Sequence, residues 1–159
     1  MAIIELTTEI DAPIDRVFDL ARSIDLHTNS TSETGERAVA GVTSGLIGAG
    51  EEVTWRARHF GVWQSLTVRV DVFEPPPHFS DTMLRGAFRQ MVHHHYFASS
   101  PRGTTMRDVL EFHSPFGVLG RVVDALILQR YLRSFLVERN QVIKSTAESD
   151  GWRRYLATA

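Results

Sequence analysis

Between Glu36 and Ser114 the chain is a succession of six strand-length segments separated by a few residues of turn chemistry. That meander limits the fold more than any other feature. The segments are Glu36–Val42, Glu51–Phe60, Val62–Phe73, His78–Leu84, Phe88–Ser99 and Thr104–Ser114. Between them stand the glycines at 45, 48 and 50, a lone Gly61, Pro75-Pro76-Pro77, Arg85-Gly86 and Pro101-Arg102-Gly103. Glycine and proline punctuate strands in this way because they supply or forbid special backbone angles. Links this short join antiparallel neighbours, since a parallel crossover needs a dozen residues or more. Strands this long curl under their own twist, which gives the sheet one concave face.

The flanking text supplies what covers that face. Ile3 to Asp11 predicts one further strand, with Ile4, Leu6, Thr8 and Ile10 on one side. Pro13 suits the first turn of a helix carrying Ile14, Val17, Phe18 and Ala21, and Leu26 to Ser32 predicts a second short helix. After Pro115-Phe116-Gly117 a helix is expected from about Leu119 to Ser145, roughly 40 Å long. It carries two apolar stripes. One holds Leu119, Val122, Val123, Leu126 and Ile127, the other Leu128, Leu132, Phe135, Leu136 and Ile143. The stripes lie mostly opposite each other at 100° per residue. Three readings follow: a bend near Leu128, burial on two sides, or a first half that acts as a gate or a homodimer contact. The expected fold class is α+β, with a seven-stranded curved antiparallel sheet wrapped around a long C-terminal helix, all in one domain spanning residues 1–159.

Bulk properties exclude several functions. A formal net charge of −2 with no basic cluster speaks against a nucleic-acid partner. The absence of cysteine rules out disulfides, thiolate metal sites and cysteine nucleophiles. No stretch reads as a leader or is long enough to span a bilayer, so a cytoplasmic chain without membrane insertion is expected.

Three strings carry a resemblance. They are Ile10-Asp11-Ala12-Pro13-Ile14-Asp15-Arg16-Val17-Phe18, then Gly48-Ala49-Gly50-Glu51-Glu52-Val53-Thr54-Trp55, then Phe112-His113-Ser114-Pro115-Phe116-Gly117-Val118-Leu119-Gly120. With the element order, they make the chain similar to the START-related helix-grip superfamily, SRPBCC. The stretch from Phe88 to Phe97 resembles a bacterial branch described as ligand-binding. The resemblance implies an internal cavity for a hydrophobic or amphipathic small molecule, lipid, polyketide or isoprenoid-like. The superfamily also includes polyketide cyclases and iron-bearing oxygenases. His93 and His95, at i and i+2 on one strand face, could with a neighbouring carboxylate make a facial triad. The oxygenases, however, pair their iron with a cysteine-bearing iron–sulfur domain, which this chain lacks, so neither a metal nor another cofactor is expected.

Strand alternation assigns the faces. The covered positions are Val53, Trp55, Ala57 and His59; Leu66, Val68, Val70 and Val72; Met91, His93, His95 and Phe97; and Met106, Asp108, Leu110 and Phe112. Asp81, between Phe79 and Met83 at period two, belongs with them. The expected cavity wall is Trp55, Leu66, Val68, Met83, Met91, Phe97, Met106, Leu110, Phe112, Leu126 and Ile127, with polar contacts from His59, His93, His95 and Asp108. A buried carboxylate is costly unless paired, and imidazole is its natural partner here. The polar set therefore reads as a self-satisfied network, as the anchor for a ligand's polar group, or as a general acid/base in which Asp108 orients His93 or His95. The expected function is binding, transport or sensing of that hydrophobic or amphipathic small molecule. The alternatives are a cyclase or dehydratase using His93 or His95 with Asp108, and a ligand-free interaction module whose cavity is filled by its own side chains, with Trp55, Phe97 and Phe112 facing one another.

Overall fold

The computed structural model describes residues 1–115, 117–118, 122 and 127–156. Strand β1 (Ala2–Ile10) leads into helices α1 (Ile14–Ala21) and α2 (Ile24–Ser30) and a 3-10 turn at Ser32–Thr34. Six strands follow: β2 (Arg37–Gly41), β3 (Glu52–His59), β4 (Val62–Glu74), β5 (His78–Arg85), β6 (Gln90–Ser100) and β7 (Gly103–His113). Helix α3 (Gln129–Glu148), a 3-10 turn at Asp150–Trp152 and a helical turn at Arg153–Leu156 complete the described chain. The strands form one antiparallel sheet in the order β1-β7-β6-β5-β4-β3-β2, so only the β1–β7 pairing departs from a simple meander.

Local chemistry fixes the corners. His59 pairs with Val62 across a two-residue loop, and Phe60 and Gly61 both take positive φ, 50° and 77°. That is the turn whose twist matches a hairpin. At the start of β7 a Cβ on Gly103 (φ 146°) would lie 2.5 Å from the Ile10 carbonyl oxygen and 2.6 Å from the Ala12 nitrogen. The corner between β1 and α1 thus packs directly on bare backbone, where only glycine fits. Helix α2 begins at Ser23, whose hydroxyl accepts from the Leu26 N–H at 3.2 Å.

The core has two parts. One gathers Ile4, Trp55, Val68, Met91, Leu110 and Phe112 against Leu136 of α3. The other gathers Ile10, Phe79, Phe97, Met106 and Ile143 around Phe18 of α1. The Phe18 ring lies 5.7, 5.4 and 5.3 Å from Phe73, Phe79 and Phe97 and closes that end of the concave face. Phe73 contributes where the alternation predicts Val72. Val70 pairs with Asp81 and Val72 with Ser80, so Asp71 is an extra residue and the strand changes phase there.

Helix α3 covers the sheet with Leu136, Arg139, Asn140, Ile143 and Ala147, the continuation of the second stripe. The first stripe behaves differently. Val122 and Ile127 face solvent, Ile127 with 57% of its surface exposed, and residues 127–128 wind as a π turn where the two stripes meet. Leu119, Val123 and Leu126 lie outside the described residues. No helix among the described residues is long and apolar enough to cross a membrane.

Candidate functional site: a cavity ending on buried histidines

Between the concave face and α3 lies a cavity of about 420 Å³, within the size range of small-molecule sites. Trp55, Leu66, Val68, Met91 and Leu110 form the sheet side of its wall, and Leu128, Leu132 and Leu136 form the helix side. The wall runs from His95, 1% exposed, to Phe60, 61% exposed, so the cavity reaches the surface. Asp81, His93 and His95 form its polar inner end, and His59 lies on the wall.

Other expected wall residues sit elsewhere. Phe97 and Met106 belong to the cluster closed off by Phe18, because that ring occupies the space they face. Met83 and Phe112 pack within the first cluster without lining the cavity, and Ile127 faces solvent. Asp108 is fully buried behind the two histidines. Residues that the sequence reading passed over also line the cavity, among them Arg139, Tyr131, His27, Glu36 and Phe88.

The strand register assembles the polar end. In the antiparallel order β5-β6-β7, Asp81 pairs with His93 and His95 with Asp108, and period two keeps all four on one face. Asp108 Oδ1 lies 3.1 Å from His93 Nε2, 2.8 Å from His95 Nδ1 and 3.4 Å from Arg139 Nη1. Its Oδ2 accepts from Asn140 Nδ2 at 2.7 Å. The other nitrogen of His95 lies 3.3 Å from Asp81 Oδ2, and the ring stacks on Phe79 at 4.3 Å. Arg139 also donates to the Ala21 carbonyl and to Asn140, so α3 is tied to α1 and to the sheet through one group.

These contacts set the charges. Burial alone would favour neutral His95, yet its hydrogen bonds to Asp108 and Asp81 outweigh that and hold its pKa above the ordinary value. Only an imidazolium can donate from both nitrogens to two carboxylates. Burial would raise Asp108, but hydrogen bonds from His93 and His95 and the charges of His95 and Arg139 hold it well below the carboxylate range. His93 goes the other way: burial, then the charge of His95, pushes it down to about 4, and it is neutral at pH 7. Two carboxylates facing one imidazolium and one guanidinium leave the cluster balanced, as a buried ionic group must be.

A second polar station lies nearer the surface. His59 Nδ1 pairs with the Tyr131 hydroxyl at 2.7 Å, and burial lowers the pKa of His59 and raises that of Tyr131. His27 pairs with Glu36 and packs at a tilt against the Trp55 ring, with centroids 4.2 Å apart.

No protein-family model matches the sequence, and no curated protein matches it. Solved structures do. A protein from Thermus thermophilus superposes with a TM-score of 0.71 at 17% identity, over 92% of this chain and 99% of that one. A protein named KanY gives 0.72 at 16% identity, over 93% and 98%. The major latex-like protein 151 of Panax ginseng gives 0.68 at 12% identity, over 93% and 98%. Likeness at this level establishes the fold: the chain has the helix-grip fold of the START and major latex-like proteins.

Proposed function

We propose that this chain binds, and thereby carries or senses, an amphipathic small molecule, whose apolar body fills the cavity and whose hydrogen-bonding group meets Asp81, His93 and His95. The observation that carries this reading is a predominantly apolar cavity of about 420 Å³ whose inner end is a largely buried, charged cluster. Ligand sites have this composition, with an apolar lining that supplies affinity and a few convergent polar groups that fix orientation. The interaction-module reading needs a cavity filled by the chain's own aromatic rings. Phe97 and Phe112 pack in separate clusters instead, and only Trp55 of that trio lines the space. The cyclase reading needs a base with a pKa near the working pH. With its pKa pushed down to about 4, His93 is a weak one, and His95 has both ring nitrogens engaged by Asp108 and Asp81, which favours binding over catalysis.

Matched probes test the anchor. A hydrogen bond to a charged group is worth about 1.5–3 kcal/mol, so 2-naphthol should bind roughly 10-fold or more tightly than naphthalene. Calorimetry or displacement of a fluorescent probe measures the ratio. Equal affinities would remove the polar end from the binding site.

A further inference from the structure

We propose that Asp81, His93 and His95 also form a binding site for one divalent transition-metal ion of the zinc class. One donor atom from each of the three residues lies within 4.8 Å of the others. Two imidazoles and a carboxylate are a donor set that zinc and its first-row neighbours accept.

The geometry goes beyond proximity. His95 Nδ1 is held by Asp108 at 2.8 Å, which leaves Nε2 turned toward Asp81 Oδ2 at 3.3 Å. Two ligand atoms bound to one ion at about 2.1 Å and a tetrahedral angle are themselves roughly 3.4 Å apart. The His95–Asp81 gap is thus the span of two neighbouring positions in a coordination shell. An ion there takes the place of the proton that the two atoms otherwise share, and that proton is released to solvent. His93 supplies the third position, its donor atom lying within 4.8 Å of the other two, a gap that a local adjustment of the ring closes on binding.

Asp108 supplies the support that such sites use. A metal-bound histidine is oriented by a carboxylate on its other nitrogen. Asp108 contacts His95 at Nδ1 and His93 at Nε2 with the same oxygen. Its second oxygen is held by Asn140, and Arg139 adds a third contact to the first. All three proposed ligands line the cavity, so the fourth position of a tetrahedral ion opens into it. The inference does not depend on the ligand reading, because the ion alone is the probe.

The test uses the untagged chain, stripped with a chelator and titrated with Zn²⁺ against an indicator, then with Co²⁺ for its visible spectrum. We expect one ion per chain, a dissociation constant below about 10 μM and release of one proton. Asp81→Asn and His95→Gln each remove a ligand and should weaken binding roughly 100-fold or more, at least the upper end of what losing an outer-shell partner costs. His94→Gln is the control. His94 alternates to the outer face, where its Nδ1 and His78 Nε2 are buried without a hydrogen-bond partner. Should His95→Gln not fold, Asp81→Asn and the wild-type cobalt spectrum decide, since four-coordinate cobalt with nitrogen and oxygen ligands has a distinct visible band. No ion bound at 100 μM Zn²⁺, or binding unchanged by Asp81→Asn but lost in His94→Gln, would overturn the site.

Discussion

Asp108→Ala should destabilise the fold by about 4 kcal/mol, a large share of the 5–15 kcal/mol that holds a typical domain together. The carboxylate is fully buried and receives His93, His95, Arg139 and Asn140. Removing it leaves the buried Arg139 guanidinium without its direct ion-pair partner and the His95 imidazolium with Asp81 alone. Breaking a buried pair from one side costs 3–5 kcal/mol, because the remaining charge stays desolvated. Arg139 also bonds the Ala21 carbonyl, so the loss reaches the junction of α1 and α3. Urea denaturation measures the change at constant m-value. Asp108→Asn, which keeps an acceptor oxygen, should recover part of the loss. A cost under about 1 kcal/mol for the alanine variant would mean that the network is not integral to the fold.

Filling the cavity from either wall should abolish most binding. Val68 lies on β4 and Leu132 on the facing helix, and both side chains line the space. Tryptophan at either position occupies volume that the ligand needs. Forcing the ligand past it costs about 2 kcal/mol of overpacking, or roughly 30-fold in affinity. The two substitutions reach the same space from different elements, so a shared loss points to the cavity and not to local damage. Circular dichroism should stay native, because the added ring enters empty volume. Loss of binding in one variant alone would place the ligand at one wall only. Unchanged affinity in both would place it elsewhere.

The sheet and the inner end of the site were legible because both rest on period-two geometry. Gly61, Pro75-Pro76-Pro77 and Pro101-Arg102-Gly103 mark the hairpins, and consecutive antiparallel strands then force β5, β6 and β7 side by side. Once that order is set, His93, His95 and Asp108 must meet. The partners from α3 were harder to see. Arg139 and Asn140 read as surface residues by type, yet Leu132, Leu136, Arg139, Asn140, Ile143 and Ala147 follow helical spacing on one face. That spacing is a usable signal, although arginine and asparagine are mostly surface residues by type. The extent of the cavity was not legible at all. It depends on Phe18 turning its ring against Phe79 and Phe97, and on one extra residue at Asp71 that swaps Val72 for Phe73. Both are outcomes of tertiary packing, and neither leaves a mark in local periodicity.

The most direct test of the central claim is native mass spectrometry of the untagged chain purified from its own host, followed by extraction and identification of what it carries. The account predicts one amphipathic small molecule per chain at near-unit stoichiometry, with the adduct lost in Val68→Trp. A chain that arrives empty, and that also takes up no fluorescent fatty acid, would contradict it.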